Sequence, residues 1–384
     1  MESLLSEPEA FLRTAGNDLS NWLANEAYPL WSTRGFDPVH GGFHESLGSD
    51  GEPAYEPRRI RVQARQVYSF ARAPSFGWTG DAATLVQAGL AYIRTHYRRA
   101  DGLYRTLVAP DGAVLDDRAL LYDQTFVLLA LAESRKVLGP RPELVRAADE
   151  LRDALYRHLK RPGGGFSSGV PEAVPLLANP HMHLLEATLA WAELAVDPAW
   201  RQFAEEIGAL TLERMVDPGT GAIREQFAAD WTQLGSDVGP AVEPGHLFEW
   251  AWLLFRLSVG SPGAEALANC ADRLVEIGET YGVHAGVGVM ALFEDLKVRD
   301  GSARLWVQTE RLKASLYKAK RSGERSHWVT AEAAVRVLQK FLSTSVPGLW
   351  HDLLTDNGHF VPGRSPGSTF YHIVCAVSEL ASLR

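Results

Sequence analysis

Residues 119–132 read ALLYDQTFVLLALA, and residues 247–257 read LFEWAWLLFRL. Both stretches are longer than an ordinary strand and are apolar on most sides of a helical projection, so each predicts a helix that is buried on more than one side. The stretch 144–155 differs, because its apolar residues form a single stripe among charged ones. The chain therefore alternates between helices buried nearly all round and amphipathic helices that face solvent on one side.

Glycine-containing loops separate these helices at a regular interval. They fall at 41–43, 102–104, 164–166, 221–223 and 358–360, and a less regular glycine segment at 282–288 takes the fifth position. The interval is about sixty residues, and six such units account for nearly all of the chain. A repeat of this kind indicates six copies of one helical hairpin.

Helix-start signals follow each loop, as a polar cap or a first-turn proline. They predict that the buried helices begin at Pro57, Asp117, Pro180, Pro244, Ser302 and Ser368. The amphipathic partners are predicted at Pro8–Trp31, Thr79–Tyr97, Pro142–Lys160, Pro198–Met215, Pro262–Tyr281 and Trp328–Ser343. Together they predict an all-α (α/α)6 barrel, one domain over residues 1–384, with the buried helices as its inner ring. An open solenoid of the same hairpins is the alternative, and closure is favoured because the inner helices are too apolar to line a solvated face.

The composition excludes several classes of protein. With 38 Lys and Arg against 47 Asp and Glu, the net charge of −9 argues against nucleic acid as a partner. No apolar stretch reaches the roughly 18 residues of a membrane helix, and the first residues lack the order of a signal peptide. Two cysteines are too few for a disulfide framework or a cysteine metal site. A cytoplasmic protein without membrane contact is expected.

The barrel would place the first turns of all six inner helices on one rim, where ligand chemistry is expected. Three of these turns carry a histidine, at His183, His246 and His372. A helix N-terminus disfavours imidazolium and keeps the ring available as a base. Glu249, three residues after His246, would orient that ring and support its charged form.

Other roles for the histidines are weaker explanations. Any single one could be held by hydrogen bonds without a catalytic role, but three in equivalent repeat positions favour function. A catalytic metal is not expected, because His181 and His183 are two apart on a helix and do not converge on one ion. No phosphate loop, dinucleotide fingerprint or nucleophile elbow is present, and no cofactor is expected.

Further polar and aromatic residues lie on the same inner helices, and Arg65 lies deeper than the first turn. Arg65 falls among apolar residues, so it is expected to face a polar cavity and bind oxygen atoms. Asn179 is expected to cap its helix. A pyranose site needs aromatic faces, amides and carboxylates, and the remaining candidates of those types are Tyr122, Gln124, Trp306 and Glu310.

Five segments combine these features: VQARQVY at 62–68, NPHMHLLEA at 179–187, PGHLFEW at 244–250, WVQTE at 306–310 and FYH at 370–372. Together they resemble the N-acylglucosamine 2-epimerase superfamily, from about Trp22 to Leu380. The resemblance implies an (α/α)6 barrel that needs no metal. It implies conversion of aldoses to ketoses, such as mannose to fructose, or to their 2-epimers. Related proteins are often dimers, so a homodimer is expected.

The resemblance also implies roles for individual residues. His246 and His372 would be the acid/base pair, with Glu249 assisting His246 and Arg65 holding the substrate oxygen. Asn179 and His183 would line the ring-binding pocket. The segment 236–243 lacks a basic residue and Trp306 is not preceded by a second tryptophan. These departures favour a neutral monosaccharide over a sulfonate or a disaccharide.

The chemistry fits these residues independently. Removing the C2 proton of an open-chain sugar needs a base with a pKa near neutrality, and the developing enediolate needs a donor already in place. Return of the proton to C1 gives the ketose, and return to the opposite face of C2 gives the epimer. The residue types do not separate these two outcomes, and it is the family resemblance that slightly favours the isomerase. A glycoside hydrolase, using carboxylates such as Glu249 and Glu310, and a non-catalytic sugar-binding barrel are the alternatives.

Overall fold

The structure is a computed structural model that describes residues 7–172, 174–235, 237 and 239–383. Ser236 and Val238, in the segment 236–243, lie outside the described residues. The helices are α1 (Glu7–Trp22), α2 (Tyr28–Thr33), α3 (Ile60–Arg72), α4 (Ala82–Tyr97), α5 (Leu121–Leu138), α6 (Pro142–His158), α7 (Ala178–Glu193), α8 (Ala199–Leu210), α9 (Pro244–Ser258), α10 (Ala264–Tyr281), α11 (Leu305–Ser322), α12 (Arg325–Leu342) and α13 (Gly367–Ala381). A π turn at Leu23–Ala27 joins α1 to α2, and a second at Thr211–Met215 extends α8.

The inner ring consists of the odd-numbered helices from α3 to α13. Each packs against the next, and α13 packs back against α3. The even-numbered helices from α4 to α12, together with α1, pack on the outside of this ring. The predicted (α/α)6 barrel is therefore confirmed, since an open solenoid would leave α13 and α3 apart. None of the described helices is long and apolar enough to cross a membrane.

Burial follows the contrast between the two kinds of helix. Every residue of α9 except Arg256 is buried. The outer helix α6 buries only one stripe, formed by Leu144, Ala148, Leu151, Ala154 and Leu155. The apolar pattern therefore assigns each helix to its ring correctly.

Short antiparallel strands connect the rim loops of neighbouring hairpins. They are β1 (Ser46–Leu47), β2 (Arg58–Arg59), β3 (Leu107–Val108), β4 (Val114–Asp116), β5 (Ala119–Leu120), β6 (Gly169–Val170), β7 (Leu176–Leu177), β8 (Gln226–Phe227), β9 (Val283–His284), β10 (Val287–Gly288), β11 (Ala291–Leu292), β12 (Val298–Asp300), β13 (Ala303–Arg304), β14 (Leu353–Leu354) and β15 (Ser365–Pro366). The pairs β2–β3, β5–β6, β7–β8, β13–β14 and β15–β1 each join the residues before one inner helix to the loop before the next. A bridge between Val242 and Leu292 does the same before α9.

This pairing corrects the predicted helix starts. Only α9 begins where predicted, at Pro244, while α3, α5 and α11 begin three or four residues later because the intervening residues form strands. No inner helix has a side-chain cap. In five of the six, a backbone carbonyl of the adjacent loop accepts the first N–H instead, as Thr106 does for Ile60 at 3.0 Å, while α9 begins with a proline. Asn179 is the second residue of α7 and does not cap it.

Three buried glutamines attach the glycine-containing loops to the inner helices. Each accepts a hydrogen bond from one backbone N–H of a loop residue and donates to the C=O of the same residue. The pairs are Gln63 with Phe43, Gln124 with Tyr104, and Gln308 with Gly288, at 2.7 to 2.9 Å. We call this arrangement a glutamine clamp. Gln124, which the sequence predicted to bind substrate, is instead fully buried in its clamp.

Replacing Gln124 by leucine should lower the free energy of unfolding by about 2 to 4 kcal/mol, because it leaves two buried backbone groups of Tyr104 without partners. Urea denaturation measures this loss. The matched change Gln87→Leu, on the exposed face of α4, should alter stability by no more than about 0.5 kcal/mol. A Gln124→Leu protein as stable as wild type would contradict the clamp.

Candidate active site

A cavity of about 450 Å³ opens on the rim where the inner helices begin. All six inner helices contribute to its wall. Among the predicted site residues, its lining includes Arg65, Tyr122, Asn179, His183, His246, Glu249, Trp306 and His372. A slightly larger groove of about 490 Å³ lies between α4, α5 and α6, but its lining contains no histidine. The rim cavity is therefore the candidate active site.

His246 is held by two carboxylates, one from a neighbouring rim loop and one from the residue that precedes its own helix. Its Nδ1 lies 2.9 Å from Oε2 of Glu225 and 3.7 Å from Oε2 of Glu243. Burial alone would lower the pKa of His246, but Glu225 and then Glu243 outweigh it and raise the pKa to about 10. His246 is therefore an imidazolium at neutral pH and can donate a proton into the cavity.

Asn179 faces the other nitrogen of His246. Its Nδ2 lies 3.1 Å from Nε2 of the ring, and its Oδ1 has no partner among the described residues. The assignment of amide oxygen and nitrogen depends on the proton on the histidine. Rotation of the amide by 180° presents Oδ1 to an imidazolium N–H, so Asn179 can pair with either protonation state of His246.

His372 has the opposite electrostatic surroundings. Its Nδ1 lies 2.8 Å from Oε1 of Glu310, whose Oε2 lies 2.5 Å from Nζ of the buried Lys313. Burial, followed by the positive charges of Arg65 and Lys313, lowers the pKa of His372 well below its usual 6.5. The ring is therefore neutral, donates from Nδ1 to Glu310 and keeps Nε2 as a free base.

Glu310 is fully buried and does not line the cavity. The sequence predicted that Glu310 binds substrate, but its two oxygens instead contact His372 and Lys313. It acts on the site through His372. The sequence pattern placed Glu310 on the correct inner helix, but it could not show that the side chain contacts the ring of His372 on another helix.

His183 forms a third histidine–carboxylate pair. Its Nδ1 lies 3.1 Å from Oε2 of Glu186, and burial lowers its pKa to about 4. The hydroxyl of Tyr371 donates to the other oxygen of Glu186. His183 is neutral at physiological pH and presents Nε2 to the cavity as an acceptor for a substrate hydroxyl.

Glu249 does not orient His246, contrary to the sequence prediction. Its Oε1 lies 3.9 Å from Nζ of Lys313 and 3.9 Å from Nδ1 of His183. Neither oxygen has a hydrogen-bond partner among the described residues, although the side chain is only 1% exposed. Burial and the nearby Glu310 raise the pKa of Glu249 well above its usual 4.5. It is therefore a neutral carboxylic acid in the cavity wall, with an O–H available to a ligand.

Arg65 supplies a positive charge that no carboxylate neutralises within 4 Å in the described part of the chain. Its Nη2 donates to the hydroxyl of Tyr122 at 2.8 Å, and its guanidinium lies 4.1 Å from the ring centre of Phe126. The side chain is 5% exposed and lines the cavity. These contacts leave it fixed in place as a donor to a substrate oxygen.

Trp306 lies between the two catalytic candidates. Its ring centre is 5.2 Å from that of His246 and 5.8 Å from that of His372. Gly245 makes this packing possible, because a Cβ there would lie 2.4 Å from the indole. The Pro-Gly-His order at the start of α9 therefore has a steric reason.

Glu225 is a candidate site residue that the sequence analysis did not predict. It lies in a rim loop, outside any helical period, and its carbonyl accepts the first N–H of α7 at 3.0 Å. Glu45 has the equivalent place, since its carbonyl accepts the N–H of Gly367 at the start of α13. Alignment of the glycine loops would have revealed both, because each lies two residues after the loop's last apolar residue, Phe43 or Ile223.

Comparison with known proteins identifies the family. The model for N-acylglucosamine 2-epimerase (GlcNAc 2-epimerase) matches residues 41–376. This chain belongs to the N-acylglucosamine 2-epimerase family. It is accordingly a sugar isomerase or epimerase, as the sequence predicts.

Relatives of this family member cover nearly its whole length. A Rhizobium meliloti protein named mannose-6-phosphate isomerase is 45% identical over 371 residues, 94% of this chain and 96% of that one. A Thermobifida fusca D-mannose isomerase is 28% identical over 362 residues, 86% of each. The solved cellobiose 2-epimerase of Spirochaeta thermophila is 21% identical, with a TM-score of 0.87, and the match covers 99% of this chain and 98% of that one. The last likeness shows the shared fold alone.

Replacing Glu225 by glutamine should shift the alkaline limb of the pH–activity profile. In the wild type, the imidazolium of His246 is lost as the pH rises through about 10. The neutral form of His372 is lost only as the pH falls through a pKa below 6.5. Without Glu225, the alkaline limb should move down by about 1 to 3 pH units, while the acid limb stays. Profiles of kcat/KM against pH measure both limbs.

The matched control is Glu213→Gln, which removes a carboxylate that is 67% exposed on the outer π turn. Both limbs should remain in place in that variant. An unchanged alkaline limb in Glu225→Gln would show that this carboxylate does not set the charge of His246.

Proposed function

We propose that this family member is an aldose–ketose isomerase that interconverts mannose and fructose. The observation that carries the proposal is the pair of cavity-facing histidines whose pKa values are shifted in opposite directions, up for His246 and down for His372. The names of the Rhizobium and Thermobifida relatives support mannose as the sugar skeleton. They differ on whether that sugar is phosphorylated.

In the proposed reaction, His372 removes the proton from C2 of open-chain mannose. The C–H electrons form the C1–C2 double bond, and His246 gives its proton to O1, which yields an enediol. His246 then takes the proton from the hydroxyl on C2 while His372 returns its proton to C1. Fructose is formed and both histidines recover their starting charge, so the step balances without a cofactor.

Arg65 and Glu249 stabilise the reacting oxygens. The fixed guanidinium lies ready for negative charge that develops on O1 or O2, which a preorganised donor stabilises more than water does. The neutral carboxyl of Glu249 adds an O–H donor to a substrate hydroxyl. Asn179 and His183 line the same cavity and bind the remaining hydroxyls of the sugar.

A 2-epimerase is the alternative within the same machinery. It would use His246 to return a proton to the opposite face of C2, after His372 has removed one. A glycoside hydrolase has less support, because Glu310 is engaged by His372 and Lys313 and cannot serve as the second carboxylate across the cavity. A non-catalytic sugar-binding barrel would not require the pKa values of the two histidines to be shifted in opposite directions.

We also propose that the enzyme works without a metal ion, is cytoplasmic and forms a homodimer. Among the residues that the structure describes, three groups of donors could hold an ion, namely His183–Glu186–Glu249, Glu225–Glu243–His246 and Glu249–Glu310–His372. In each of these groups, a hydrogen bond between the histidine and a carboxylate already occupies atoms that would have to bind the ion. Activity should therefore survive exhaustive treatment with a chelator.

Incubation with mannose in heavy water tests the reaction itself. Fructose labelled at C1 should form, and His246→Gln and His372→Gln should each lower kcat by about 100-fold to 10,000-fold because each removes a proton-transfer group. The control His284→Gln changes an exposed histidine outside the cavity and should keep full activity. NMR of the products measures both the label and the rate.

The products distinguish the alternatives. Labelled glucose in place of fructose would identify a 2-epimerase. Sugar release from a mannoside without exchange at C2 would identify a hydrolase. Absence of exchange with mannose, glucose, lyxose and N-acetylated sugars, with ligand affinity unchanged in both histidine variants, would refute catalysis. Trials of the same four sugars in the wild type also define the substrate range.

A further inference from the structure

We infer that the mouth of the cavity binds a phosphate group at the far end of the sugar chain, between Arg59 and Arg304. The inference rests on the proposed function, because it takes C1 and C2 of the sugar to lie between His246 and His372. It makes a hexose 6-phosphate the preferred substrate. The sequence favoured a neutral sugar from the lack of basic residues in 236–243, but these two arginines come from other elements.

Arg59 and Arg304 occupy the same position in two repeats. Each is the last residue of a rim strand, directly before the inner helices α3 and α11. Both helices pack against α13, one on either side. Both side chains line the cavity and are well exposed, 44% for Arg59 and 37% for Arg304. The two guanidinium groups therefore flank the start of α13.

Each guanidinium is braced from behind by one carboxylate. Glu45 lies 2.7 Å from both Nε and Nη2 of Arg59, and Asp352 lies 3.0 Å from both Nε and Nη2 of Arg304. No described residue hydrogen-bonds Nη1 of either arginine. This leaves one edge of each planar group open for a bidentate contact with an oxyanion.

The first turn of α13 hydrogen-bonds to both of the residues that hold these arginines, Glu45 and Asp352. The N–H of Gly367 donates to the carbonyl of Glu45 at 2.8 Å, and the hydroxyl of Thr369 donates to Asp352 at 3.1 Å. Ser368 and Thr369 line the cavity, and the helix has no side-chain cap. Over its 15 residues, α13 directs the positive end of its dipole and its free N–H groups toward the mouth.

Arg65 adds further positive charge to the cavity. It is 5% exposed, lines the same cavity and has no carboxylate within 4 Å in the described ranges. Its Nε has no hydrogen-bond partner there. In the proposed reaction its guanidinium faces the reacting oxygens at C1 and C2, and its positive charge also favours an anionic group elsewhere in the same cavity. A phosphorylated sugar brings negative charge into the cavity.

The test compares mannose with mannose 6-phosphate in the wild type and in Arg59→Gln, Arg304→Gln and the double variant. The wild type should prefer the phosphorylated sugar in kcat/KM. The ratio of the two kcat/KM values should fall at least about tenfold in each single variant, mainly through KM, because a charge-assisted hydrogen bond is lost. Lysine at either position keeps the charge without the fork and should give an intermediate ratio.

Arg325→Gln is the matched control, since it removes one arginine at the start of α12, outside the cavity. Its substrate ratio should equal that of the wild type. Calorimetric binding of mannose 6-phosphate should follow the same order among the variants, which tests the site even without turnover. Circular dichroism confirms that each variant is folded.

Two results would overturn the inference. One is a wild-type enzyme that isomerises mannose but has no preference for the phosphate, which leaves the proposed function intact. The other is a preference that persists in the double variant. Failure of both sugars to exchange in heavy water would instead reject the proposed function, and calorimetry would still decide the phosphate site.

Discussion

The rim of this barrel depends on one backbone constraint, that the first N–H of a buried helix must find an acceptor. The inner helices have no side-chain caps. The carbonyl of the next rim loop takes that role for five of them, including Thr106 for α3 and Glu225 for α7. Each such bond ties one repeat to its neighbour, so the ring of helix starts is also a ring of loops. The position of every loop residue near the cavity follows from it.

The capping residues carry the site chemistry on their side chains. Glu225 caps α7 with its carbonyl and holds His246 of α9 with its carboxylate. Glu45 caps α13 and braces Arg59, and Asp352 caps α11 and braces Arg304. One repeat position therefore provides both the register of the rim and the charges around the cavity. The identity of that residue can change in each repeat while the backbone bond stays.

The sequence predicts the ring and the first turns well because both follow from local patterns. Apolar surface all round a helix specifies burial, and the repeat interval specifies six hairpins. Partners across the rim are different, because Glu225 and His246 come from separate loops and no helical period links them. The burial of Gln124 in its clamp and the position of Glu249 away from His246 could not be predicted for the same reason. Spacing along one helix shows which residues share a face but not which neighbour that face meets.

The charge states of the two histidines follow from the groups beside each histidine–carboxylate pair. Two carboxylates, Glu225 and then Glu243, raise the pKa of His246 despite its burial. Glu310 makes an equally close contact with His372, but its other oxygen pairs with Lys313, a buried cation whose own pKa is raised. The carboxylate is thereby compensated and cannot hold an imidazolium in the low-dielectric interior. A histidine–carboxylate pair therefore supplies an acid or a base according to the third charge beside it, and both kinds of pair open on the same cavity.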